Sequence, residues 1–218
     1  MSLIDSASLI VTPNGYKEGK LYSVIPSDGS GDMSVVRATT ATRVNSSGLV
    51  ELVPYNLLTY SEQFDNAAWS KVGAVTVNSN VTTAPDGTNT ADRLNAIGEA
   101  NRIEQIIAAT SGNISIFAKP DTSNILRIIV QSSFSAIIDL SNNSISFVFG
   151  AANTSNFMVE NYANGFKRVS ISFTNAAAAK RFSSDGSIFI WGAQLVEGSS
   201  ALDYLPTTDR LDVARIDY

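Results

Sequence analysis

Apolar and small polar residues alternate in Val169-Ser170-Ile171-Ser172-Phe173, and nearly so in Ile114-Ser115-Ile116-Phe117-Ala118 and Ile145-Ser146-Phe147-Val148-Phe149. A period of two puts the apolar set on one face of an extended chain and the serines on the other, the pattern of a half-buried β-strand. Strands of this kind pack face to face in antiparallel sandwiches. Ile125-Leu126-Arg127-Ile128-Ile129-Val130 and Ile188-Phe189-Ile190-Trp191 are apolar on both faces and read as central strands or as strands that a partner covers. Pro85-Asp86-Gly87, Pro120-Asp121, Ser141-Asn142-Asn143, Asn164-Gly165 and Ser184-Asp185-Gly186 supply turn signals between these runs. Helical expectations are confined to Ser61 to Ala68, with Ser61 as N-cap, and Asn175 to Lys180.

Three zones follow. Residues 1–53 hold short apolar runs such as Ser8-Leu9-Ile10-Val11 and Leu21-Tyr22-Ser23-Val24-Ile25, with turn signals at Pro13-Asn14-Gly15 and from Pro26 to Asp32. They read as a strand-rich arm with too little core to stand alone, an attachment segment that pairs with a neighbour. Residues 54–206 form the sandwich. Residues 207–218 are a polar tail, which either frays or docks on another subunit.

Composition narrows the chemistry. The chain has 218 residues, no histidine and no cysteine, which removes the commonest general base, thiol nucleophiles and the usual zinc ligands. A formal net charge of -5 without a basic run speaks against a phosphate backbone as partner. Charged residues are 16% of the chain, against about 25% in an average protein, in keeping with many short strands and turns. Met1-Ser2-Leu3-Ile4-Asp5 lacks the basic start and apolar run of a signal peptide, and the apolar runs are far shorter than a membrane span needs. No nucleic acid, no membrane insertion and no cofactor are expected.

Hydrolysis of a sugar bond needs only two carboxylates, so Asp86, Asp92, Glu99, Glu104, Asp121, Asp139, Glu160 and Asp185 are weighed for it. Most sit beside turn residues, where acids cap the backbone, and no catalytic residue is assigned. Asp28-Gly29-Ser30-Gly31-Asp32 carries hard-cation donors, and Asp86 with Asp92 could form a second set, but neither has a complete calcium-loop spacing; no metal site is assigned. For sugar binding the informative groups are aromatic rings. Trp191, in phase with Phe189, Ala193 and Leu195, reads as core, and Trp69 as a plug at the domain edge. Tyr162 and Phe166, with Asn161 and Asn164 around them in a loop, are the candidate glycan-contacting patch.

Asn56-Leu57-Leu58-Thr59-Tyr60-Ser61-Glu62-Gln63-Phe64-Asp65-Asn66-Ala67-Ala68-Trp69 and the run from Trp191 to Thr207 resemble the two ends of a domain frequent in tailed-phage virion proteins, a jelly-roll sandwich related to carbohydrate-binding modules. Ala84 to Leu94, Ser115 to Pro120, Ile137 to Ser141 and Asn164 to Ile171 resemble its interior, with Phe166-Lys167 where the family commonly has a Trp-Tyr pair. Val36 to Glu51 resembles a linker that precedes this domain in such proteins, and Ala214-Arg215-Ile216-Asp217-Tyr218 a related short motif. The resemblance implies an all-β fold, an antiparallel jelly-roll β-sandwich with an N-terminal arm. It also implies a non-enzymatic virion structural protein, such as a head fibre, capsid-decorating or tail-associated subunit. Made and assembled in the host bacterial cytoplasm, such a subunit would be a homo-oligomer, dimer or trimer, touching other virion proteins and host-surface glycans. The alternative is a carbohydrate-binding adhesin or receptor-binding module.

Overall fold

The computed structural model describes residues 7–17, 20–34, 41–44 and 47–209; the linker-like residues 36–40 and 45–46 and the C-terminal Ala214 to Tyr218 lie outside them. Sixteen strands carry nearly all the regular structure. In chain order they are β1 (Ile10–Lys17), β2 (Lys20–Ile25), β3 (Met33–Ser34), β4 (Thr42–Val44), β5 (Val50–Leu52), β6 (Ser70–Val72), β7 (Thr76–Thr82), β8 (Ala91–Ile97), β9 (Arg102–Ile106), β10 (Gly112–Pro120), β11 (Ile125–Val130), β12 (Phe134–Asp139), β13 (Ser144–Phe149), β14 (Thr154–Asn161), β15 (Lys167–Phe173) and β16 (Ala179–Val196). The chain divides into two compact units, Tyr60–Tyr204, and Met1–Thr59 with Leu205–Tyr218, whereas the zones read from sequence break at 53/54 and 206/207.

The larger unit is an antiparallel jelly-roll sandwich held together by one strand. At 18 residues, β16 is about three times the usual strand length. Its first part, Ala179 to Ser184, pairs with β11 and β9, and its second, from Asp185 on, pairs with β8 and β10. One half-sheet therefore runs β13-β12-β11-β16-β9-β6 and the other β7-β8-β16-β10-β15-β14. The change of partners falls at Asp185-Gly186, where Gly186 has φ +132°. The Ser184-Asp185-Gly186 signal thus marks a bend inside a continuous strand, not a turn between two. A strand that switches sheets through a bend is how the corner of a sandwich is made.

Between the halves lies an apolar core. Phe134 of β12 meets Phe173 of β15 with ring centroids 6.4 Å apart, and Trp69 packs on Phe64 and on Phe182 of β16. Trp69 is fully buried, and its indole Nε1 donates to the Tyr60 carbonyl at 3.0 Å. The expected helix over 61–68 is absent. Three successive turns, with Gln63 N, Asn66 N and Trp69 N donating to the carbonyls three residues back, replace it. The Ser61 and Tyr204 hydroxyls share a hydrogen bond, and Asn66 Oδ1 takes the Ala68 N–H, so a distant partner and a local side chain both draw the segment away from the helical ladder.

The alanine run at 175–180 is not helical either, because its backbone bonds outward: Ala176 N to the Thr110 carbonyl and Ala177 N to that of Gln131. Lys180, with no exposed surface, sets its ammonium among the carbonyls of Ile107, Ala109, Ala177 and Ala178 at 2.7–3.3 Å. A buried charge fully ringed by acceptors ties two loops together without a counter-ion. Asp92 does similar work on β8. Its two carboxylate oxygens accept from Phe64 N and Asn80 N, each at 2.9 Å, fixing the 60s loop and β7 to the sheet.

Two strands depart from the half-buried reading. In β10 and β15 both faces are buried. Ile114, Ile116, Val169 and Ile171 serve the core, and the opposite row, Asn113, Ser115, Ser170 and Ser172, lies under the segment that follows β16. Ser172 Oγ donates to the Ser199 carbonyl at 2.8 Å and Gln194 Nε2 to those of Leu202 and Asp203 at 3.3 Å. Serine can line such a face because the covering strap presents carbonyls to it.

Trp191 is buried, at 4% exposure, but not on the face that its phase with Leu195 implies. The pairing of β10 with β16 steps from Ser115–Gln194 to Phe117–Trp191, one residue extra on β16. Gly192, at φ +59°, forms this bulge, and a bulge inverts every side chain beyond it. Leu195 faces the core with Ile114; Trp191 faces the strap with Phe117, in a second cluster with Ala84, Ala91 and Phe166, against which Phe189 and Tyr204 pack.

In the smaller unit, β1, β2 and β3 form one sheet and β4 and β5 another. Pro13-Asn14-Gly15 lies within β1, across a break in register between Val11 and Tyr16, instead of forming a turn. The Pro26 to Asp32 turn is present; Asp32 Oδ1 accepts from Ser23 N at 2.8 Å, and Asp28 Oδ1 from Ser30 N at 2.9 Å. Ala41 and Val53 are buried with Tyr55 against them, and Thr207 of the expected tail is buried, its hydroxyl on the Leu58 carbonyl.

Two outcomes test this construction. Gly192→Ala would place a Cβ 2.9 Å from the Phe117 ring and 3.1 Å from that of Tyr204, in a left-handed conformation. A loss of about 1–3 kcal/mol in urea unfolding is expected. Burial raises Asp92 from 3.8 to about 6, against the opposing pull of its two N–H donors. The folded protein therefore holds that proton more tightly than the unfolded chain. The associated stabilisation is complete below 3.8 and lost as pH rises through about 6, bounded by roughly 3 kcal/mol. Urea midpoints of wild type and Asp92→Asn, measured from pH 4 to 7, should diverge toward acid in favour of wild type.

Candidate functional site

A concavity of about 530 Å³ opens between the edge strand β14 and the strap. Phe157, Met158, Glu160 and Tyr162 form one wall, and Ser200 to Asp203 the other. Asn156 stands at one end, its φ of +48° falling where β14 slips register against β15. Its side-chain amide donates to the Ser199 carbonyl at 2.5 Å, which pins the strap to the strand. The slip between Ser155 and Met158 resets the alternation, so that Met158 is exposed while Phe157 is half-buried.

Tyr162 stands just past the end of β14, with 42% of its surface exposed. Its ring meets Phe117 edge-on, with centroids 4.8 Å apart and planes at 89°, and Phe117 in turn meets Trp191 and Tyr204. An aromatic chain of this kind fixes the ring's orientation while leaving one side in water. Glu160 and Asp203 are exposed acids on facing walls. Arg168, from β15, is 4% exposed and also lines the cavity; its Nη2 donates to the Leu202 carbonyl at 2.6 Å and to Ser115 Oγ at 3.2 Å.

Of the four residues expected to form a glycan patch, Tyr162 alone lines this cavity. Phe166 is 1% exposed and lies in the second apolar cluster, with the Lys119 ammonium 5.2 Å from its ring centre, so it offers no face to a ligand. Both aromatics lie in the connection between β14 and β15, as expected, but Ala163–Gly165 closes a single 3-10 turn that drives Phe166 inward. Asn164, in the left-handed region at φ +58°, spends its amide on the Ala84 carbonyl at 2.7 Å. Asn161 is exposed at the end of β14 and does not line the cavity. Sequence reasoning did not single out Met158, Asp203 or Arg168 for the site. Arg168 carried a signal: it is a charge directly before the strictly alternating run Val169 to Phe173 of a central strand.

Apart from Glu160, which lines the cavity, the weighed acids are in structural use. Asp86 and Asp139 accept from the backbone two residues on, at Thr88 and Ser141, and those turn bonds hold Asp139 below the usual carboxylate range. Asp121 pairs with Arg93 and Asp185 with Arg127, at 2.5 and 2.7 Å. Glu104 sits between Arg102 and Arg181, at 3.0 and 2.7 Å, and Glu99 accepts from the Ser135 hydroxyl. Among the described residues no three acids converge as a metal would require.

No family model matches the chain, and neither does any curated protein sequence. Solved structures with a similar course include the CBM22-1–GH10 modules of Clostridium thermocellum endo-1,4-beta-D-xylanase 10B complexed with xylohexaose (9% identity, 68% of this chain and 28% of that one, TM-score 0.38). The CBM22-1 xylan-binding domain of Paenibacillus barcinonensis Xyn10C is another (11% identity, 77% and 100%, TM-score 0.38). A third is the enzymatically active domain of bacteriophage CBA120 tailspike protein 4 (16% identity, 65% and 21%, TM-score 0.36). The match spans under a third of the first and the last of these. Likeness at this level assigns neither ligand nor activity to the present chain.

Proposed function

We propose that this chain is a non-catalytic sugar-binding module that holds its ligand in the cavity between β14 and the strap. The observation that carries the reading is the Tyr162 ring, braced on Phe117 yet 42% exposed, on a wall it shares with Phe157 and Met158. A sugar ring is apolar on its faces and polar on its edges. Tyr162 can stack on the face, while Glu160, Asp203 and Asn156 stand at the height of the hydroxyls. No step of bond cleavage is assigned: Asp92, Glu104 and Asp185 are held by backbone or arginine donors, and Glu160 and Asp203 are read as acceptors for sugar hydroxyls.

Glycan-array binding followed by calorimetry tests this. Tyr162→Ala should fold normally and bind about tenfold more weakly, which corresponds to about 1.4 kcal/mol of stacking. Phe166→Ala should instead lose about 3–5 kcal/mol of stability through the cavity it leaves. An array on which wild type binds nothing removes the reading.

A second reading, as a subunit of an assembled particle such as a phage virion, is favoured by the smaller unit. There Leu9, Val24, Met33, Leu49, Val50 and Leu52 are 43–73% exposed, and Ala41, Val53 and Leu58 are among its buried apolar residues. Apolar strands left open in this way suit a partner surface. Light scattering on the eluting protein should give a dimeric or trimeric mass, and Leu49→Ser with Val50→Ser should shift it to the monomer. A monomeric wild type counts against assembly through this unit.

A further inference from the structure

We propose that the ligand of the β14–strap cavity carries a carboxylate, for which Arg168 is the missing counter-charge. The inference rests on the sugar-binding reading above and names the class of sugar. Arg168 is set into β15 opposite Phe117 of β10 on one side and Glu160 of β14 on the other. Nη2 is engaged, by the Leu202 carbonyl and Ser115 Oγ. Nε is buried with no hydrogen-bond partner, and the guanidinium carbon lies 5.5 Å from the centre of the Phe117 ring.

Arg93, Arg102, Arg127 and Arg181 each reach a carboxylate within 3.0 Å. Arg168 is more buried than any of them and reaches none among the described residues. Withdrawing a guanidinium from water with an idle N–H and no anion is unfavourable, so buried arginines are normally paired. Here the unpaired one lines a cavity wide enough for a sugar ring. Its charge, with the N–H groups that the Leu202 and Ser115 bonds leave over, suits a carboxylate oxygen, since a charge-assisted hydrogen bond is stronger than one to a neutral hydroxyl.

The surroundings narrow the class further. Glu160, directly across from Arg168 in the ladder, and Asp203 on the strap are acceptors for sugar hydroxyls and repel added negative charge. One carboxylate per ring, flanked by neutral hydroxyls, satisfies all three side chains. A densely sulfated or phosphorylated chain does not, because its extra charges would face Glu160 and Asp203 at close range.

The test uses the full chain on an array of carboxylated oligosaccharides (galacturonate, alginate, hyaluronan and sialyl-lactose), neutral xylan, mannan and galactan oligomers, and dextran sulfate. Binding should fall on carboxylated members. Reducing the carboxyl of the best ligand to the alcohol should weaken calorimetric affinity at least tenfold, and added NaCl should weaken only the acidic form. Arg168→Gln should make acid and alcohol bind alike, whereas Tyr162→Ala should weaken both. If Arg168→Gln does not fold, Arg168→Lys, which keeps the charge and loses the guanidinium, should retain part of the preference. Equal affinity of wild type for acid and alcohol, binding confined to neutral glycans, or binding of dextran sulfate in place of the carboxylates each overturns the inference and leaves the sugar-binding reading standing. No binding to any glycan removes both.

Discussion

One covalently continuous strand joins the two half-sheets. Because β16 lends its first part to β11 and β9 and its second to β8 and β10, the two halves share a backbone at Asp185-Gly186. The apolar faces are thereby brought opposite each other, and Phe134, Phe173, Phe182 and Trp69 fill the space between them. Hydrophobic burial supplies the driving force, but the shared strand decides which faces meet. Arg127 clamps the Asp185 carboxylate with two nitrogens at 3.0 and 2.7 Å, holding it well below the usual carboxylate range on the same bend.

From that frame the site follows by subtraction. Where β16 ends, the chain returns across the outer face of its own half-sheet, and Ser172, Gln194 and Arg168 receive it with donors for its carbonyls. Beyond the bond from Asn156 to Ser199, the strap leaves a gap beside the edge strand β14, and the gap is the cavity. Tyr162 and Arg168 reach the same gap from different directions, one from the loop after β14 and the other from within β15. Their chemical contrast, a braced ring beside an unpaired guanidinium, makes the gap selective in kind.

Much of the fold was legible in sequence because alternation is a direct consequence of strand geometry. The runs in β10, β13 and β15 were placed, as were the turns at Pro85-Asp86-Gly87 and Ser141-Asn142-Asn143. Errors arose where a local signal has two geometric outcomes. Ser184-Asp185-Gly186 reads as a turn, yet glycine serves a bend within a strand equally well; Gly192 between Trp191 and Ala193 gave no sign that the phase would invert. The alanines before Lys180 favour helix by propensity, and neighbouring carbonyls overrode it. In the candidate site, Tyr162 was legible as a loop aromatic; Phe166, four residues on, was not separable from it.

The sequence alone determined that this chain builds strands and turns without histidine or thiol chemistry, since composition and a period of two require no knowledge of partners. Only the tertiary structure decided which polar residues are buried and which rings remain in water. Those outcomes depend on what crosses a strand's outer face, and the strap residues that bond to Ser172 and Arg168 of β15 lie 27 and 34 positions further along the chain. Arg168 shows the difference most plainly. As a residue type at a strand position it is an ordinary surface charge; beneath Leu202 and beside Phe117 it is a buried cation that forms no ion pair among the described residues.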